Sequence, residues 1–347
     1  MATPAPAVAW AQYLALRGVT SLMQCFDVEE NLRTAGAVGS MFARFSPRHR
    51  RRAERNIALS FPEYSAEQVR RVAEGSMRYM FQLFMVDTIA APRLITPASW
   101  PQYLRLDGIE PVLDRLIRQR RGIFLTGHCG NWELLGFALS ALGYPISALA
   151  RPLDNPLINR WLLAMREKRG LRVIPKFGAA TVLPDLLSRE GRVGFIADQN
   201  AGDQGSFVPF FGRLASSYKS IGLLAIRYET PIYVGHALRE HGRMRYVVRC
   251  EDVIRPDDWV DQPDPLYYVT ARFNRALEKT IRRAPEQYLW VHRRWKSRPR
   301  HEREGSPFPS RLRRKLEQLP WMTEADLAAI IDRSTDPNHR EEGESGR

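Results

Sequence analysis

The alternation between Tyr103 and Ala197 narrows the fold more than any other feature of this chain. Short apolar runs of strand length recur there, each followed by a stretch of helical periodicity. The runs are residues 123–125, 146–149, 173–174 and 193–197, and the helical stretches are residues 132–142, 157–168 and 180–187. Strands buried on both faces read as continuous apolar runs, and intervening helices supply the crossovers that parallel pairing needs. The pattern therefore predicts an α/β fold with a mainly parallel central sheet flanked by helices. Ligands of such sheets bind beyond the carboxyl ends of the strands. Three polar groups fall at those ends: His128 after the first run, Arg151 after the second, and Asp198 with Gln199 after the fourth. They are expected to share one crevice.

The first of these ends is the stretch GIFLTGHCGNWELL, residues 122–135, which reads as strand, tight turn and helix. The strand end delivers His128 and the first helical turn delivers Glu133. A neutral imidazole can take the proton of an attacking hydroxyl, an effect worth about 10²–10⁴-fold. A carboxylate on the other ring nitrogen fixes its tautomer and stabilises the imidazolium. His128 as base with Glu133 as its partner is the expectation. The plain alternative is a structural histidine beside an acid that favours the helix dipole. Backbone N–H groups around Gly130 and Asn131, or a nearby arginine, are candidate donors to an oxyanion. Cys129 is read as a small residue filling the turn, because a nucleophilic cysteine needs its histidine across space. No HExxH spacing or second ligand motif is present, so no metal is expected.

Over 347 residues the net charge is +14. From Arg300 onward nine Lys/Arg face ten Asp/Glu, so the excess sits on the chain before that point. Such a field favours anionic partners: nucleic acid, anionic lipid, phosphorylated substrates or an acidic carrier protein. The run Trp290-Val-His-Arg-Arg-Trp-Lys interleaves bases and aromatics as single-strand binders do, but no nucleic-acid module accompanies it. Arg293 and Arg294 in it can instead hold phosphates. Three dispersed cysteines suggest neither zinc nor disulfides and fit a reducing compartment.

Residues 8–26 place Trp10, Leu14, Val19, Leu22 and Phe26 on one helical face. That stripe suits either a membrane interface or the protein's own core. A helix over residues 32–45 follows, then the basic run Pro47-Arg48-His49-Arg50-Arg51-Arg52, a solvated face or a contact for anionic headgroups. Ser65 with Gln68 forms a capping box ahead of a helix rich in Met and Phe. Downstream, residues 207–212 read as an apolar loop, 217–228 and 266–283 as helices, and 231–238 with 244–250 as a hairpin around His241-Gly242. The chain divides into a helical, membrane-associating region over 1–100, an α/β domain over 101–299, and a polar, partly disordered tail over 300–347 with one helix near 323–333. No uncharged apolar window is long enough to draw a transmembrane helix, and no basic segment of a secretory signal precedes the first apolar residues.

Five blocks, in order, carry a resemblance: Thr126-Gly-His-Cys-Gly-Asn-Trp-Glu133, Ala150-Arg-Pro-Leu-Asp-Asn-Pro156, Ala197-Asp-Gln199, Phe207-Val-Pro-Phe-Phe-Gly212, and Pro285-Glu-Gln-Tyr-Leu-Trp-Val-His-Arg-Arg-Trp-Lys296. Over residues 8–299 the chain resembles the bacterial lipid A biosynthesis acyltransferases of the lauroyl/myristoyl type, within the lysophospholipid acyltransferase superfamily. The resemblance implies acyl transfer from an acyl carrier protein or coenzyme A thioester to a hydroxyl of an anionic glycolipid. It implies a site at the cytoplasmic face of the bacterial inner membrane and no cofactor beyond the donor. His128 would be the base and Glu133 its partner, and Glu at the last position of the block points to the lipid A branch. Arg151 and Asp198 match family positions associated with the active site, for headgroup contact or support of the dyad, and Gln199, Asn131, Arg293 and Arg294 are further candidates for substrate contact. Phosphatidylinositol mannosides or lysophospholipids remain alternative acceptors. A non-catalytic basic protein that binds membranes or nucleic acid is the alternative of another class.

Overall fold

The computed structural model describes residues 4–150, 152–167, 170–175 and 178–335. Helices α1 (Pro6–Met23), α2 (Val28–Phe45), α3 (Pro47–Ser60) and α4 (Ala66–Gln82) come first. The predicted capping box opens α4: the Gln68 N–H donates to Ser65 Oγ at 3.2 Å and the Ser65 N–H to Gln68 Oε1 at 2.7 Å. A π-helical turn (Leu83–Asp87) ends α4, and α5 (Thr88–Leu94) and α6 (Trp100–Tyr103) lead into the sheet.

Strands and helices then alternate: β1 (Leu104–Asp107), α7 (Glu110–Ile117), β2 (Gly122–Thr126), α8 (Trp132–Ala141), β3 (Ser147–Ala150), α9 (Pro156–Glu167), β4 (Arg172–Pro175), α10 (Ala179–Ser188) and β5 (Arg192–Ile196). An antiparallel hairpin, β6 (Ser206–Phe210) and β7 (Arg213–Ser217), stands where an apolar loop was expected. Val208, Phe210, Leu214 and Ala215 of this hairpin are fully buried, so the apolar run is core strand. Then come α11 (Lys219–Arg227), β8 (Ile232–Arg239), β9 (Tyr246–Ile254), α12 (Pro256–Trp259) and α13 (Pro265–Arg283). The β8–β9 hairpin turns through His241 and Gly242, both at positive φ, as the sequence predicts.

The seven-stranded sheet has the order β1-β9-β8-β2-β5-β3-β4. β2 runs parallel to both β5 and β8, and only the β8–β9 pair is antiparallel. The fold is mixed α/β with a mostly parallel central sheet between helices. On β2, Ile123 and Leu125 belong to a core with α3, α4, α11 and α13, whereas Phe124 faces a second core with α7 and α8. This alternation is the period of two that a strand imposes.

At the two ends of the chain the structure bears on readings that the sequence left open or incomplete. Trp10, Leu14, Val19, Leu22 and Phe26 are all about half exposed, so this stripe is not packed on the core. A different side of α1 meets α9: Asn155 Nδ2 donates to Ala9 O at 3.0 Å, and the Arg17 guanidinium sits 5.7 Å from the Trp161 ring. Among the described residues no helix is long and apolar enough to cross a membrane. Beyond Arg300 the chain is not a bare tail: α14 (Arg300–Glu304), α15 (Ser310–Glu317) and α16 (Glu324–Thr335) bury Leu316, Leu319, Leu327 and Ile330 in the main core. Few apolar residues achieve this, which is why a mainly polar segment concealed it. Residues 336–347 lie outside the described residues.

Candidate active site

Parallel register builds the site. β2 pairs β5 with Thr126 opposite Ile196, so one spacing further on His128 stands opposite Asp198. The Asp198 carboxylate receives two bonds from that one residue. The His128 backbone N–H donates to Oδ2 at 2.7 Å, and Nδ1 lies 2.7 Å from Oδ1. A carboxylate accepts only, so Nδ1 carries the proton and Nε2 keeps its lone pair. Burial alone would raise the Asp198 carboxyl. The His128 ring and backbone N–H overcome it and hold the pKa at about 2. The Gln199 amide nitrogen lies 3.4 Å from His128 Nε2.

The turn between strand and helix leaves no choice at Gly130. Its φ is +68°, and a Cβ there would overlap the Ala237 carbonyl oxygen. The backbone N–H of Gly130 donates to Gln287 O at 3.0 Å and that of Asn131 to Ala237 O at 2.7 Å. Both groups expected to bind an oxyanion are thus consumed in clamping the turn. The Pro285–Lys296 block is the other half of this clamp. Leu289 N–H donates to His128 O at 3.0 Å, and Ser76 Oγ holds Tyr288 O at 2.6 Å.

Glu133 does not reach the His128 ring nitrogen that was assigned to it. It lies in the first turn of α8 and takes two bonds from Arg166 on α9, at 2.8 and 2.5 Å. The expected dyad is therefore corrected in geometry: Asp198 holds His128, and Glu133 holds Arg166. The reason is topological. The neighbouring strand end brings Asp198 within one strand spacing of His128, whereas α8 turns Glu133 toward α9. Arg166, unremarked in the sequence, shows no motif; only the helix packing reveals it.

Several expected contacts have other duties. Asn131 is the N-cap of α8: its Oδ1 accepts the Leu134 N–H at 2.8 Å and its Nδ2 donates to Asp87 Oδ2 at 3.1 Å. Asp87 is fully buried against Arg239. Arg294 is 1% exposed and donates to Ser216 O, Ser217 Oγ and Asn274 Oδ1, so it pins β7 to α13. Arg293 is half-buried and is not among the described residues lining the cavity at this site. Arg151 lies outside the described residues. Cys129 is buried, and burial pushes its thiol well up, which suits a filler of the turn and not a nucleophile.

His128, Glu133, Arg166 and Gln199 open on a cavity of about 1050 Å³. Its wall is mainly apolar, with Trp132, Leu135, Leu149, Leu183, Phe195 and Leu224 among its residues. His292, from the Pro285–Lys296 block, also lines it, with its ring centroid 4.7 Å from that of His128. A base, a polar rim and an apolar chamber suit a reaction between a polar group and a long hydrocarbon chain. Among the described residues no cluster of His, Cys, Asp or Glu is arranged to hold a metal ion.

The profile of the bacterial lipid A biosynthesis acyltransferases matches residues 5–297. The chain belongs to that family. It is 28% identical over 272 residues to the lipid A biosynthesis palmitoleoyltransferase of Escherichia coli K12, covering 76% of this chain and 83% of that protein. The lauroyltransferase of the same organism is 27% identical over 304 residues, 86% of this chain and 94% of that protein. The myristoyltransferase is 25% identical over 278 residues, 75% and 79% of the two chains. The protein is an acyltransferase, and residues 298–335, with α14 to α16, lie beyond the family match.

Proposed function

We propose that the protein transfers a fatty acyl chain from a thioester donor, an acyl carrier protein or coenzyme A derivative, to a hydroxyl of a lipid A precursor. His128 is the general base. The observation carrying this reading is the His128–Asp198 pair at the rim of the apolar cavity. With Nδ1–H on Asp198, Nε2 keeps its lone pair, with the Gln199 amide nitrogen 3.4 Å away, and takes the proton of the acceptor hydroxyl as its oxygen attacks the thioester carbonyl. Asp198, held ionised at about 2, then stabilises the imidazolium by direct contact. The same proton passes to the departing thiolate. No acyl-enzyme is needed and no metal enters.

The Glu133–Arg166 pair lines the same cavity as His128. A phosphate or glycolipid oxygen that engages Arg166 draws on a guanidinium already oriented by Glu133. The acyl chain lies in the chamber, and the donor's anionic carrier meets the basic field of the first 299 residues.

In this reading the reaction runs at the cytoplasmic face of the inner membrane, with peripheral attachment through α1 and its surroundings. Leu14 and Leu22 are about 60% exposed on α1, and Phe45 is 74% exposed at the end of α2. The arginines of α3 follow directly. Apolar side chains beside cations suit an anionic lipid surface.

The decisive experiment is turnover by His128→Ala with an acyl-carrier-protein thioester and a lipid A precursor in mixed micelles. Loss of about 10³-fold with unchanged melting temperature is expected. Turnover near that of the unmodified protein would overturn the assignment. Running lysophospholipid as a second acceptor separates the lipid A reading from its nearest alternative.

A further inference from the structure

We propose that His292 is a second catalytic residue, a neutral imidazole whose N–H receives the oxyanion that forms on the thioester carbonyl. The proposal rests on His128 being the base. Four observations converge on it. First, His292 lines the reaction cavity, and its ring is tilted 55° against the His128 ring at 4.7 Å. A carbonyl group under attack from a hydroxyl bound at His128 Nε2 therefore lies within reach of it. Second, its main chain is pinned. The His292 N–H donates to Leu289 O at 3.1 Å, and its carbonyl accepts from Asn56 Nδ2 at 3.1 Å, Asn56 itself being 3% exposed. Such anchoring preorganises a donor before the charge appears. Third, neither ring nitrogen is bonded to a described residue, although the ring faces the cavity. Fourth, the N–H groups of Gly130 and Asn131 are consumed within the fold, so the oxyanion must find its donor elsewhere.

Protonation supports the assignment. Burial, followed by repulsion from His128, lowers the His292 pKa to about 4 against the opposing pull of Asp198. A neutral imidazole still carries one N–H, and it stays neutral when His128 becomes charged. A base weakened in this way does not compete for the hydroxyl proton. In the step itself, the acceptor oxygen bonds to the carbonyl carbon while its proton moves to His128 Nε2. The carbonyl π pair moves onto oxygen, where the His292 N–H meets it. Collapse restores the C=O bond and breaks the C–S bond, and the thiolate leaves with the proton from His128.

A merely structural role, packing against the His128 ring, predicts that any side chain of similar bulk will serve. The test compares His292→Gln, which retains an N–H donor, with His292→Leu and His292→Ala in the full-length protein. The assay uses an acyl-carrier-protein thioester and a lipid A precursor. Loss of the donor is expected to lower kcat by about 10²-fold in the Leu and Ala variants, with KM within about threefold. The Gln variant should retain roughly tenfold more kcat than Leu at equal melting temperature. Equal kcat for Leu and Gln, or an Ala variant within about threefold of the unmodified protein, overturns the proposal. His128→Ala, run beside them, separates the two failures. If it turns over, the base assignment falls and this one with it. If it is inactive while His292→Leu is active, only the donor assignment falls.

Discussion

The two walls of the crevice handle their carboxylates differently. On the inner wall Asp198 is 2% exposed, sealed between β2 and β5, and bonded twice to one residue. On the outer wall Glu133 is half-buried on α8 and takes two bonds from Arg166 on α9. A buried carboxylate with fixed partners can define a tautomer, because in a low-dielectric site the protonation of its neighbour is dictated. An ion pair whose side chains are 21% and 23% exposed keeps some contact with solvent, so its arginine can also meet an incoming anion. Asp198 is thus tied to one residue of its own site, whereas Glu133 joins two helices on the cavity lining.

Among variants that keep His128, the largest effect should come from Asp198→Asn. The amide would face Nδ1 with its NH₂ and force the proton to Nε2, so kcat should fall by about 10³–10⁴-fold with little change in fold. Steady-state kinetics beside a circular dichroism spectrum checks this, and a loss confined to KM would break the contrast. Next is the acid sensitivity of the inner body. His236 on β8 is 2% exposed, bonded through Nδ1 to Thr280 Oγ1 at 3.0 Å, and near Arg283, Arg249 and Asp107. Burial, then Arg283 and Arg249, lower its pKa to about 4. The unfolded chain therefore binds the proton first as pH falls. The stability from this group is complete above about 6.5, is lost between there and about 4, and amounts to roughly 3 kcal/mol, about two decades in the folding constant. Urea unfolding of the protein and His236→Asn at pH 7 and 4.5 should show a smaller pH dependence in the variant.

Glu133→Gln should do less than Asp198→Asn: a loss of about 10–10²-fold in kcat/KM, carried mainly by KM, since the residue orients a substrate-binding guanidinium. A kcat loss as deep as that of Asp198→Asn would return Glu133 to the chemistry and erase the distinction between the walls. The smallest effect lies farthest out. Leu14→Ser or Leu22→Ser removes one exposed apolar side chain from α1 and should weaken binding to anionic liposomes by about fivefold, near 1 kcal/mol. Co-sedimentation at fixed salt measures it, and unchanged binding by the double variant would sink the role of α1.

Much of this site was legible in the sequence, for reasons that can be located. Apolar runs at residues 123–125 and 193–197 announce buried strands whatever their neighbours, so the positions of His128 and Asp198 at strand ends follow from local pattern. The Gly in the turn is equally local: a tight strand-to-helix turn demands positive φ. The choice of Glu133 over Asp198 fails because nearness in sequence stood in for nearness in space. The stripe of α1 was visible as a pattern, yet a pattern of 3.6 residues is identical for a helix that faces core and one that faces outward.

The sequence by itself determined the alternation of elements, the family-specific blocks and the residue types gathered at the carboxyl end of the sheet. Tertiary structure alone decided which carboxylate holds which partner, that residues 300–335 join the core, and that His292 stands beside His128. The physical reason is that periodicity and turn chemistry act over a few residues and are written along the chain. Strand order, register and helix docking join residues far apart in sequence, as Asn56 and Trp290, 234 apart, are joined at 2.9 Å, and depend on the packing of all the elements together.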